Sequence, residues 1–432
     1  MLKWELQEHL LQIKQPLKLM NKYRRNFWLT LSLVNLCIVA FLGFTLRSKI
    51  LFSLPFIDFR NLESAHSHFA FAGWVGLALM TLMIYDLLPA EASNKKMYQW
   101  ILGGIELSSI GMAVFFPFYG YNLITIFFSS LYILAVVIFS IIFIKDIIKT
   151  SKWFVVKLLS ISALLSLMLS FLGTIGLIYI IATHKGSSLL YRDSIYTFLH
   201  FQYNGFFTLS IFSLFFNYLI NRGLDTGHKG KYFSIFICLS IVPSLFLSLL
   251  WHNLLIYYIL AAFGAICILI AVFFFIGLLK NSSFSTLLEY PLARTFLLFS
   301  FLSFCLKMLL HVGTIFPGLG NAVYGDRPVI IGFLHLVFLG FVSFYILAIL
   351  IESGYFTKKG KLIQFSFFVF AFGIISNEMI LMLQGLGILF STNFDVYKWL
   401  LWLTSIILFT GALLIVCLRL NVLNSGRNPE VA

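Results

Sequence analysis

Twelve times along its 432 residues the chain runs apolar and nearly uncharged, then breaks at a charged or Gly/Pro-containing stretch. Each run approaches the ~20 residues that an α-helix needs to cross the hydrocarbon of a bilayer. They fall near 27–47, 64–88, 99–118, 121–145, 153–182, 195–220, 232–252, 254–279, 293–316, 328–351, 362–388 and 397–419. Between Lys231 and Lys280 the apolar stretch is too long for one crossing, and it divides at Trp251-His252-Asn253. The residues are 60% hydrophobic and 11% charged, whereas a soluble domain carries about 25% charged residues. The fold class is therefore all-α: a polytopic helical bundle with about twelve transmembrane helices, in a lipid bilayer. Soluble, disordered, collagen-like and disulfide-rich classes are excluded, as is a nucleic-acid partner. The expected organisation is a basic amino-terminal segment over 1–26, one membrane domain over 27–420 and a tail over 421–432.

The net charge of +14 has a topological reading. With twelve crossings both termini share a side, and that side collects most of the Lys and Arg. The opposite loops hold only Arg47, Lys49, Arg60, Lys185, Arg192, Arg327 and Lys398. By the positive-inside rule both termini are cytoplasmic in a bacterial-type inner (plasma) membrane. The five cysteines stand singly, which argues against covalent heme, thiolate zinc or an iron–sulfur cluster. No P-loop and no Gly-x-Ser-x-Gly motif is present, so hydrolase and ATPase readings have nothing behind them.

His9 and His228 lie in cytoplasmic segments and His184 in an outer loop. The other six histidines, His66, His68, His200, His252, His311 and His335, fall within or at the edge of spans, all near the outer ends in this orientation. A lone histidine at such a position is usually bonded to a neighbouring carbonyl. Six at one depth from five helices instead suggest neutral imidazoles converging on a metal or heme.

Four short motifs resemble the heme-copper oxidases and their nitric oxide reductase relatives. The stretch His66-Ser67-His68 through Trp74 is similar to that family's second helix, which carries a low-spin heme ligand. His200 stands where the reductases carry a metal-binding histidine, and Asn204 and Thr208 stand where they carry glutamates. Trp251-His252-Asn253 keeps one of the family's two adjacent metal-binding histidines. Asp326 through His335 matches the tenth helix, with Phe333 where the histidine of the reactive heme would stand.

What the resemblance implies is one heme b between His335 and either His66 or His68. Those two project about 200° apart on a helix, so only one can face a heme. A second heme would need another ligand, and His311 is the spare histidine. A copper or non-heme iron ion would take His200 and His252, with Asn204, Asn253 and Tyr203 as oxygen partners. Implied partners are a cytochrome c or quinol electron donor and a small partner subunit. Asp86, Glu106, Lys307 and Glu378 are candidates for a proton path, although a Lys307–Glu378 ion pair would explain two of them. The implied activity is electron transfer or reduction of a diatomic gas, nitric oxide or oxygen. The His-x-His pair also resembles the NnrS family, heme- and copper-containing membrane proteins connected with nitric oxide, which would make the chain a non-catalytic member. A secondary transporter is the remaining alternative; its paired, broken helices in two related halves are not seen in the sequence.

Overall fold

In the computed structural model, residues 2–183, 185–224, 226–281, 287–356, 360–390, 392 and 394–424 are described. His184, Lys358, Lys359 and the tail from residue 425 lie outside them. Twelve helices are long and apolar enough to cross a membrane, and no strand occurs among the described residues. We number them α1 (Pro16–Leu51), α2 (Phe59–Leu87), α3 (Lys96–Tyr119), α4 (Leu123–Thr150), α5 (Phe154–Ile181), α6 (Ser188–Asn221), α7 (Gly227–Ser248), α8 (Leu255–Lys280), α9 (Pro291–Gly313), α10 (Arg327–Glu352), α11 (Lys361–Gly387) and α12 (Val396–Leu423). The protein is thus a polytopic all-α membrane protein, with every expected span present.

The helix containing α1 begins at Leu2, well before the apolar run. Residues 2–15 are rich in Leu, Lys, Gln and Glu and contain no Gly, so helix propensity continues where hydropathy stops. The chain divides into two compact units, Met1–Lys152 and Trp153–Ala432.

In the first unit, one face of α1 carries a stripe of polar contacts. Asn21 donates to Ser93 Oγ at 2.9 Å, and Arg25 makes a two-bond fork with Asp86 at 2.7 and 3.0 Å. Farther along, Trp28 Nε1 donates to Gln99, and Asn35 Nδ2 donates to both Gly73 O and Glu106 Oε2. The spacing 21, 25, 28, 35 keeps these groups on one side of a 3.6-residue helix. Asp86 is therefore tied to an arginine of the neighbouring helix. The α3–α4 turn is made by Gly120 at φ 56°, in the left-handed region that glycine enters without steric cost. Asn122 then caps α4 in a capping box with Thr125.

In the second unit, α5 and α6 approach so closely that a Cβ on Gly173 would sit 2.2 Å from Ser194 O. Along α6, Phe212 is ringed by Phe233, Phe275, Phe301, Phe304 and Phe341, with centroids 4.5 to 6.1 Å away. Many Phe side chains thus build interior contacts, while others such as Phe273 (72% exposed) face outward where lipid would lie.

The most enclosed spans are α2, α6 and α10, with 78%, 83% and 72% of their apolar windows buried. Each also switches to π winding close to a histidine: Ala70–Gly76 after His68, Phe201–Phe207 after His200, and Leu336–Ser343 after His335. Such wide turns are uncommon and occur often at functional sites.

Candidate functional site

A fully buried polar cluster of the second unit lies between α6 and α9. On α6, His200, Asn204 and Thr208 are spaced by four and share a face; on α9, Lys307 and His311 do the same. The two faces meet in two rungs. In the first, Asn204 Nδ2 lies 3.1 Å from His200 Nδ1 and 3.4 Å from His311 Nε2, and the imidazole centroids are 5.6 Å apart. In the second, Lys307 Nζ donates to Thr208 Oγ1 at 2.9 Å and to Tyr203 O at 3.3 Å. His200, His311 and Lys307 are all at most 1% exposed.

A change of winding in α7 supports the first rung. Pro243 lacks an N–H, and from Leu245 the helix tightens to 3₁₀ geometry. The Leu245 N–H turns to Val242 O and Pro243 O instead of Ile241 O. Ile241 O instead meets His200 Nε2 at 2.8 Å. Because a carbonyl only accepts, Nε2 carries the hydrogen, and Nδ1 of the neutral ring presents a lone pair to the Asn204 amide. His200 Nδ1 thus offers an acceptor to the Asn204 NH₂ group, and His311 Nε2 lies on the other side of that group. The Asn204 Oδ1 is buried and has no hydrogen-bond partner.

The other expected site residues lie elsewhere. His252, at the end of a 3₁₀ turn, bonds to Asp193 Oδ2 at 2.9 Å, while Trp251 Nε1 takes Asp193 Oδ1 and Arg192 lies over the indole. His200 therefore pairs with His311 and not with the expected His252. Asn253 is exposed, adopts φ 54° and accepts from Tyr258, which is the role of a turn residue. Among the described residues, no three or more His, Cys, Asp or Glu side chains are grouped to hold a metal ion. The Lys307–Glu378 ion pair is not formed: Lys307 donates to a hydroxyl and a carbonyl, and Glu378 accepts from Asn377. Asp193 escaped the sequence reading; its signal is an acid one residue from Arg192 near the amino-terminal end of α6, a position that hydropathy treats as loop.

A second heme on His311 does not fit. The Nε2 that iron would take is engaged by Asn204. Beside the ring lies a cavity of about 20 Å³, lined by His311, Tyr203, Thr314 and Phe333 among others, enough for about one water-sized molecule. Phe333 packs edge-on against Tyr203 at 5.6 Å, filling the place where the resemblance would put a ligand.

For a low-spin heme the candidate rings are set differently. His335 Nδ1 bonds to Ile331 O at 2.8 Å and His66 Nδ1 to Val39 O at 3.1 Å. Each carbonyl fixes the hydrogen on Nδ1 and leaves Nε2 as the lone-pair atom, the tautomer and outer bond of an imidazole prepared to ligate a metal. His68 is the reverse: its Nε2 bonds to Tyr121 OH at 3.1 Å and its ring stacks on Phe116. Gly43 adjoins His66, where a Cβ would come 3.2 Å from Cε1.

In the first unit, Glu106 is 6% exposed; its Oε2 accepts from Asn35 and its Oε1 has no partner. Compared with known proteins, the chain matches no family model and no curated protein.

Proposed function

We propose that this protein is a heme-binding integral membrane protein that transfers electrons, with heme b as cofactor and His335 and His66 each an axial candidate within its own unit. The observation that carries the reading is the tautomer shared by those two rings, each with Nδ1 held by a backbone carbonyl so that Nε2 carries the lone pair. A heme would supply one-electron chemistry; the chain's own part is to orient the imidazoles and enclose the site in apolar helices. The reaction class that fits the resemblance is reduction of nitric oxide or oxygen, with a cytochrome c or quinol as donor. The excess of Lys and Arg on alternate loops supports cytoplasmic termini in an inner membrane of bacterial type.

The test is a reduced-minus-oxidised spectrum of protein purified after expression with ample heme. The expected result is a low-spin heme b signal, abolished by His335→Ala and retained in His68→Ala. Colourless protein, or a signal that survives His335→Ala, overturns the proposal.

A second reading, a non-catalytic heme and copper protein similar to the NnrS family, is favoured by Phe333 packed on Tyr203 and by the small cavity beside His311. It differs in one measurement: carbon monoxide leaves the reduced spectrum unchanged, because no five-coordinate heme is present.

A further inference from the structure

We infer that the paired ends of α3 and α4 form a binding site for an anionic phospholipid, with the headgroup phosphate among Lys96, Lys145 and Lys149 and an acyl chain along the apolar flank of the same two helices. The site lies wholly within the first unit and does not depend on heme.

The hairpin returns the carboxyl end of α4 to the amino end of α3, and one carboxylate locks the two together. Lys95 Nζ donates to both oxygens of Asp146 at 2.5 and 2.7 Å, and Tyr98 OH donates to the same group at 2.8 Å. Asp146 is buried and fully engaged by these three bonds. The lysines around it are not. Lys96, Lys145 and Lys149 are exposed, and none makes an ion pair or side-chain hydrogen bond among the described residues. Asp86 is held by Arg25, and Glu91 on the turn before α3 makes no ion pair with them. Three ammonium groups thus stand together around an acid that is already neutralised.

The outward faces of the two helices give the ligand its shape. On α4, Ile141, Lys145, Ile148 and Lys149 recur at helical spacing and are all exposed; on α3, Leu107, Trp100 and Lys96 do the same. Each face runs from aliphatic side chains to lysine toward the shared helix ends, which is the order of acyl chain and phosphate in a phospholipid. Trp100 stands between them on α3, 78% exposed and with no hydrogen-bond partner for Nε1 among the described residues. Indoles favour the headgroup level, where one edge is wet and the ring meets the chains.

A surplus of lysine alone would follow from topology. Unpaired lysines on two locked helices, continuous with exposed aliphatic side chains and an indole whose N–H is unused, describe a headgroup and a chain together. Basic clusters beside a span attract anionic lipid in this way.

The experiment reconstitutes the full chain in phosphatidylcholine vesicles in which a small fraction of the lipid carries brominated acyl chains, either as phosphatidylglycerol or as phosphatidylcholine, and reads tryptophan quenching. At low salt the brominated phosphatidylglycerol should quench more at equal mole fraction, and the difference should vanish in Trp100→Phe and fade at high salt, where exposed charges are screened. Lys96→Gln and Lys149→Gln should each weaken the preference by about 5-fold, the loss of one basic side chain at an anionic surface. Lys149→Arg should keep it, and so should Lys361→Gln, an exposed lysine of the second unit. The comparison of the two lipids on the unaltered protein needs no variant, so a folding failure in one of them leaves the test intact. Equal quenching by the two lipids, a difference that survives in Trp100→Phe, equal loss in Lys361→Gln, or relief of the quenching by soluble glycerol phosphate would each overturn the site.

Discussion

Lys307 shows how much a single side chain depends on its neighbours in a helical interior. Its ammonium position is fully buried, and its hydrogen-bond acceptors are the Thr208 hydroxyl and the Tyr203 carbonyl, with no carboxylate among them. Thr208→Val removes one acceptor and leaves the donor, and should lower stability by about 1–3 kcal/mol. Lys307→Met removes the donor with its desolvation penalty and fills similar volume, and should match or exceed the parent in stability. Thermal unfolding in detergent checks both; the reverse order would mean that the amine contributes more than it costs. Glu106 poses the same question in the first unit. Asn35→Leu would leave neither of its oxygens bonded and should also cost about 1–3 kcal/mol. The sequence marks these residues as polar groups in apolar runs, but it does not reveal their partners. His200 and His311 stand out by position, yet the tautomer of His200 depends on the Ile241 carbonyl of α7, which no residue type announces.

At the scale of helices, the hydrocarbon-length rule finds all twelve spans and the tight break at Trp251-His252-Asn253, because length and apolarity are written directly in the chain. Changes of winding are not written there. The π turns after His200 and His335 and the 3₁₀ turn after Ser244 arise from packing, and only Pro243 leaves a visible trace. This gives a test in which propensity and tertiary structure oppose each other. Replacing an interior proline should favour a helix by about 3 kcal/mol. In Pro243→Ala, however, the Leu245 N–H can reclaim Ile241 O and deprive His200 of its acceptor. The expected outcome is no rise in unfolding temperature, and an increase of several degrees would show that the break has no tertiary role. The contact of α5 with α6 is less ambiguous: Gly173→Val drives a side chain into the Ser194 backbone and should destabilise by about 1–3 kcal/mol.

For the molecule as a whole, twelve crossings would put both termini on one side of the bilayer, and the orientation proposed from the basic residues would make that side the cytoplasm. Reporter fusions after Leu51 and after residue 424 should give opposite results, periplasmic for the first and cytoplasmic for the second. The boundary between Lys152 and Trp153 has a further consequence. Four helices precede it and eight follow, so each portion begins and ends on the same face of the membrane. A stop codon placed there, with a new start codon for the remainder, would yield two separately translated polypeptides, neither of which needs a tail threaded through the bilayer to recover its native topology.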